Sequence, residues 1–144
     1  MKGVFSSILF CFLFIGGAFA QSTDDILGVW KSIDFDDNIA KAHIEIYKKN
    51  GKYHGKIIKL LQRPADTICP SCPGEKKNQL LVGMTIVMDL EFDDDYWSDG
   101  EILDPEDGKT YGCNIYLESP DKIRLRGYLG IPAIGKSQYW YRVK

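Results

Sequence analysis

The chain has 144 residues, 44% hydrophobic and 26% charged, with a net charge of −2 and four cysteines. That length bounds it to one domain plus, at most, a short targeting segment. Basic and acidic residues are interspersed and nearly balanced, which excludes the electrostatic footprint of a binder of nucleic acid or of an anionic membrane.

Residues 1–20 read as a cleavable signal peptide. Lys2 supplies the positive start, and Val4 to Ile15 form an apolar run interrupted only by Ser6 and Ser7. Ala18-Phe19-Ala20 then places small residues at the two positions a signal peptidase inspects, leaving Gln21 as the new first residue. The run falls short of the roughly 20 apolar residues that a bilayer span requires, so an uncleaved anchor is the lesser alternative. Cys11 follows Phe10 where a lipidation site would want a small residue. Cleavage leaves residues 21–144, enough chain for one proper core. The expectation is a soluble, monomeric domain in the periplasm or outside the cell, with no membrane insertion after cleavage.

Helical periodicity is hard to find in residues 21–144. Short runs rich in Val, Ile, Tyr, Phe and Trp alternate with turn residues, the pattern of a sandwich or barrel. Eight strands are expected, near 27–33, 42–48, 53–60, 82–89, 95–103, 109–117, 122–128 and 137–143.

Asn50-Gly51 suits a two-residue type I′ turn, which fixes the register of the second and third strands. Lys49 then pairs with Lys52, Ile46 with Gly55 and Ile44 with Ile57, while Glu45 faces Lys56 across the outer side. The two histidines fall on that outer side, His54 opposite Tyr47 and His43 opposite Ile58. Roughly 13 Å of strand separates the two rows, so they cannot share a metal ion.

Cys69-Pro70-Ser71-Cys72 lies between strands. A thioredoxin-like redox pair would open a helix in a βαβ unit, which nothing here suggests. A tetrahedral metal site would need ligands beyond these two, with only Cys113, His43 and His54 to recruit. A small structural disulfide between Cys69 and Cys72 is the favoured reading in an oxidising compartment. It would stiffen the loop and contribute roughly 2 kcal/mol or less. Metal, redox and pairing with Cys113 stay open as alternatives.

Glu91 with Asp93-Asp94-Asp95 reads as a solvated loop. Asp104-Pro105-Glu106-Asp107-Gly108-Lys109 could supply carboxylate chemistry, but it has the residues of a tight turn, and a turn tip offers no cleft between two acids. Asp104 could still matter at the mouth of a barrel. Cys113 alternates with Tyr111, Ile115 and Leu117 on an inward face and is expected as a buried, inert thiol. Around Ser119-Pro120-Asp121, a three-residue loop pairs Leu117 with Ile123, Ile115 with Leu125 and Cys113 with Gly127, and sets Glu118 opposite Lys122. A one-residue slip would turn the apolar set outward. Arg124 and Arg126 then share the outer face with Asn114 and Tyr116, as a recognition patch or simply a solvated surface.

Consecutive hairpins with short turns favour an up-and-down meander that closes on itself and removes both edges. Gly28-Val29-Trp30 opens the first strand and Trp140-Tyr141-Arg142 ends the last. An arginine from that last strand on the face of Trp30 would pin the closing seam.

These ends, together with Gly51-Lys52-Tyr53-His54-Gly55-Lys56-Ile57, Cys69-Pro70-Ser71-Cys72, Leu81-Val82-Gly83-Met84 and the long segment Trp97 to Tyr111, are similar to a known pattern. Leu125-Arg126-Gly127-Tyr128-Leu129-Gly130 continues it. The chain resembles the bacterial exported family called domain of unknown function 2147, which is placed among the calycins, the lipocalin-like barrels. The resemblance implies a single all-β, antiparallel, up-and-down barrel of about eight strands. It carries over no activity, since fold does not imply function.

No catalytic constellation, cofactor motif or metal set stands out. The functional expectation is a non-enzymatic binding barrel for a small, partly apolar molecule. The candidate ligand-binding residues are Trp30, Trp97, Tyr111, Arg126, Tyr128 and Trp140, several of which are also expected to fill the core. An eight-stranded barrel is just wide enough for side chains or one small ligand, and short strands would keep any cavity small. The alternatives are a structural or protein-interaction module of the cell envelope, and a thiol or metal function at Cys69 and Cys72.

Overall fold

A computed structural model describes residues 21–34 and 36–144. The expected signal peptide lies outside the described residues. Eight antiparallel strands form one closed barrel in simple chain order. They are β1 (Gly28–Ile33), β2 (Ala40–Lys49), β3 (Lys52–Leu60), β4 (Thr85–Asp93), β5 (Tyr96–Leu103), β6 (Thr110–Ser119), β7 (Lys122–Tyr128) and β8 (Gly135–Arg142). β8 returns to β1, pairing Trp140 with Ser32 and Arg142 with Trp30. Closure satisfies the backbone groups that an open edge would expose.

The β2–β3 hairpin has the register read from its turn: Lys49 with Lys52, Ile46 with Gly55, Ile44 with Ile57. Glu45 and Lys56 form the cross-strand ion pair at 3.0 Å. Beyond Ile44 the register shifts, and His43 pairs with Lys59 rather than Ile58. Ile58 is the extra residue of a β-bulge, which leaves it exposed and lets the strand bend around the barrel.

Three other expectations are corrected. β4 begins at Thr85, three residues later than expected, because the chain turns at Gly83 (φ +91°), whose N–H donates to the Ile57 carbonyl. The acidic run is not a loop: Glu91 and Asp93 lie in β4, and only Asp94-Asp95 turns the chain. The β6–β7 connection is a two-residue turn with Ser119 opposite Lys122, and a bulge at Glu118 restores the expected inner pairs from Leu117–Ile123 onward. Displaced by that bulge, Glu118 accepts from Arg124 at 2.7 Å.

The two ends of the barrel differ. At one end, β2–β3, β4–β5 and β6–β7 are joined by two-residue turns. Here the interior is filled by Trp30, Trp97, Tyr53, Leu90, Ile115 and Ile123, all buried. The segment 22–27 closes this floor. Ile26 is fully buried beneath it, and two indoles that need acceptors find them there. Trp30 Nε1 donates to the Ile26 carbonyl at 2.8 Å and Trp97 Nε1 to the Thr23 carbonyl at 3.2 Å. The Tyr53 hydroxyl adds a bond to Asp24 at 2.8 Å.

Arg142 locks the floor to the seam. Its guanidinium lies 4.2 Å from the centre of the Trp30 ring. It also donates to the carbonyls of Leu27, Asp25 and Pro120 at 2.8, 2.7 and 2.9 Å. Gly28 makes room for it, since a Cβ there would come within 2.9 Å of Nη1. The Gly-x-Trp opening and the terminal arginine are thus one packing unit.

Candidate functional site: a half-open barrel

The opposite end carries the longer connections, 34–39, 61–84, 104–109 and 129–134. Between them opens a cavity of about 720 Å³. The short-strand argument for a small cavity fails because β2 and β6 each reach ten residues and the inward positions near this end are small. Ser32, Ala42 and Gly127 line the wall beside Ile44, Ile57, Ile86, Leu103 and Leu125. Trp140 borders the cavity, its indole N–H donating to Gln138 at 3.1 Å.

One side of the mouth is built by the loop 61–84, which carries the Cys69–Cys72 disulfide. Within this loop Leu81 N–H donates to the Thr67 carbonyl at 2.9 Å, and the Leu81 side chain is buried at the cavity edge. The disulfide corner packs on the turn that joins β5 to β6. Cys69 Sγ lies 3.5 Å from the Pro105 carbonyl, and a Cβ on Gly108 (φ +71°) would stand 1.8 Å from the Ser71 carbonyl oxygen. Arg63 ties the same loop to Glu106 at 3.1 Å. The disulfide therefore braces a rim and lies outside the barrel wall.

The turn after β5 is held by its own carboxylates. Asp104 accepts from the Glu106 N–H at 2.8 Å, and Asp107 from the Lys109 N–H at 2.7 Å. The Tyr111 hydroxyl donates a short hydrogen bond to the other oxygen of Asp107. That bond, with burial and the charge of Asp107, pushes the Tyr111 hydroxyl up to about 12. Burial pushes the Asp107 carboxyl upward, but the bonds from Tyr111 and Lys109 outweigh it and hold the acid below its ordinary value.

Of the residues expected at a ligand site, Tyr111, Tyr128 and Trp140 border the cavity. Trp30 and Trp97 lie in the filled floor, where their indoles bond the 22–27 segment. Arg126 points outward, holding the 129–134 loop through the carbonyls of Pro132 and Ala133 and bonding the hydroxyl of Ser137 on β8. The Tyr128 ring lies across Gly112, where a Cβ would meet it at 2.3 Å. Gly112 alternates with the buried Cys113, so that ring covers the outer side and Tyr128 reaches the cavity only from its rim. Cys113 is a free, buried thiol that burial pushes strongly upward.

His43 and His54 are on the outer face. His54 stacks on Tyr47 with centroids 5.6 Å apart, and its Nδ1 accepts from the Asp89 N–H at 3.3 Å. Burial, then the nearby Lys59 and Lys31, lowers the His43 imidazole. On the patch of Arg124 and Asn114, the guanidinium of Arg124 covers the Tyr116 ring at 4.2 Å and Tyr116 stacks on Tyr96 at 5.0 Å.

Sequence reasoning missed the plug formed by 22–27 and the contribution of Asp34, Asp36, Lys41 and Leu81 to the mouth. The apolar pair Ile26-Leu27 immediately before Gly28 was the available signal for the plug. Nothing local marks the mouth residues, which are brought together only by closure.

The barrel is similar to a solved structure described as protein HP1028 from the human pathogen Helicobacter pylori, which belongs to the lipocalin family. The TM-score is 0.73 over 82% of each chain, at 19% sequence identity, which establishes a shared lipocalin-like fold. No curated protein matches the chain. The family model described as "uncharacterized protein conserved in bacteria (DUF2147)" matches residues 28–142, most of the chain, and the protein belongs to that family.

Proposed function

We propose that this protein is an exported, non-enzymatic barrel that holds one small, partly apolar molecule in its open half. The observation that carries this reading is the cavity of about 720 Å³, lined by aliphatic side chains and opening between the long connections. Its size falls in the range of small-molecule sites, which are concave, mostly apolar and furnished with a few polar groups. The apolar wall offers no orienting chemistry, while Gln138 and the mouth residues could fix a polar end. Tyr111 and Trp140 are the aromatic contacts, and the lipocalin-like fold supports the reading by analogy. Export rests on the signal-peptide pattern of residues 1–20, and a mature N-terminus at Gln21 in protein recovered from its host would test it.

Gly127 provides the direct test. It faces the cavity, and a Cβ placed there would find its nearest neighbours, Ile102 and Tyr111, at 3.8 and 3.9 Å. Gly127→Leu should fold with wild-type stability or better, because glycine weakens a strand. It should also lose most of its uptake of a neutral fluorescent apolar probe such as N-phenyl-1-naphthylamine. Equal uptake by both proteins, or none by either, would end the proposal.

The second reading, an interaction module of the envelope, has its own observation: Leu129, Ile131 and Ile134 are 61%, 56% and 68% exposed on the 129–134 loop. Leu129 and Ile134 also border the cavity, so their exposure serves the binding reading as well.

A further inference from the structure

We infer that the ligand is an amphiphilic cation, an amine or quaternary ammonium group joined to an apolar chain or ring, its apolar part in the barrel and its positive end among the carboxylates of the mouth. The inference rests on the cavity being a ligand site and adds the sign of the ligand's charge.

The wall and the mouth differ in chemistry. Charged residues enter the lining only at the mouth: Asp34, Asp36, Asp104, Glu106 and Asp107 against Lys41, Arg63 and Lys136. The cations are largely committed. Lys41 is bonded to Asp37 at 2.6 Å, Arg63 to Glu106 at 3.1 Å, and Lys136 lies 3.7 Å from Asp36. Asp37 adds a further acid to this edge and Lys109 a further base, which leaves the rim net negative.

Asp34, Asp104 and Asp107 have no lysine or arginine in ion-pair contact among the described residues. Their partners are backbone N–H groups and the Tyr111 hydroxyl. Such bonds occupy carboxylate oxygens without bringing a positively charged side chain to them. Asp34 and Asp104 are half-buried, so water screens them less than it would a free surface acid.

An anionic amphiphile would bring its head group to this net negative rim, where the lining cations Lys41, Arg63 and Lys136 already face acids. A neutral one would lose nothing and gain no ion pair. A cation meets carboxylates that no lysine or arginine touches in an ion pair among the described residues, with the Tyr111 and Trp140 rings in the same lining suited to cation–π contact. The apolar wall then takes the rest of the molecule.

The test compares three ligands with the same chain: decyltrimethylammonium, decanol and decanoate, each titrated by calorimetry into the mature protein below its aggregation threshold. The expected order is cation, then alcohol, then anion, with roughly tenfold or more between the two ions. That gap should narrow at high salt. It should also narrow in Asp34→Asn/Asp104→Asn, where the amide oxygens can still accept the backbone N–H bonds that shape the loops. Decanol binding alongside equal or tighter binding of decanoate would overturn the charge assignment while leaving the cavity reading intact. So would a cation preference unchanged in the double variant. If none of the three binds, the cavity reading falls, and the inference with it.

Discussion

The guanidinium of Arg142 lies 4.2 Å from the centre of the Trp30 ring, adding a cation–π contact to the backbone pairing that closes the last strand on the first. Its three bonds to the Leu27, Asp25 and Pro120 carbonyls extend the lock to the floor segment and to the β6–β7 turn. Arg142→Ala should therefore cost about 2–4 kcal/mol, from lost charge-assisted bonds as well as the ring contact. Arg142→Lys should recover less than half, because an ammonium cannot reach three carbonyls and cover a ring at once. Urea unfolding of the two variants against wild type measures both.

The rim makes a separate demand on backbone space. Gly108→Ala would drive a methyl group toward the Ser71 carbonyl from a left-handed conformation, so the disulfide corner must lift away. Expect a loss of about 1–3 kcal/mol and faster proteolysis within 61–84. Gly51→Ala is the control: its φ is +77° but its Cβ would meet nothing within 4 Å, so it should cost only about 1 kcal/mol.

Tyr111 should titrate late. Its hydroxyl is stabilised in the neutral form by Asp107, so its folded value of about 12 exceeds the ordinary tyrosine value of 10.0. Neutral Tyr111 contributes stability that is fully present below pH 10 and drains away as the pH rises from 10 to about 12. Asp107, lowered from 3.8, contributes stability present above that value and lost as the pH falls below it. In an ultraviolet titration, Tyr111→Phe should remove one phenol from the high-pH tail. Asp107→Asn should move that phenol to lower pH.

Thiol counting distinguishes the cysteines. For a chain beginning at Gln21, the folded, unreduced protein should show no thiol reactive to Ellman's reagent, and denaturation should release one, Cys113. Reduction, or Cys69→Ser/Cys72→Ser, should lower stability by about 2 kcal/mol or less, since the bridge closes a very short ring. A larger loss would mean that the bridge holds more than the rim.

Much of this architecture was legible because local and global signals agree. Asn50-Gly51 sets a turn, and the turn puts Ile44, Ile46 and Ile57 on one face, which is the core face. Where an extra residue intrudes, reading by alternation fails: the bulges at Ile58 and Glu118 shift the pairs beyond them, while Ile44–Ile57 and Leu117–Ile123 keep the pairing read from the turns. The cavity was harder to read. Trp30, Trp97 and Trp140 look alike as sequence, yet two are buried in the floor and one borders open space. Height along the barrel decides their roles, and it depends on how eight strands stagger around a closed wall.

The asymmetry between the tight-turn end and the loop end divides the molecule's obligations. The Trp30–Tyr53–Trp97 floor, with the 22–27 segment beneath it, supplies cohesion without touching the cavity. The connections at the opposite end can therefore vary at their exposed positions without disturbing the floor, whereas Gly108, Leu81 and the disulfide corner are held by packing. Variation at that end would leave the closed floor intact.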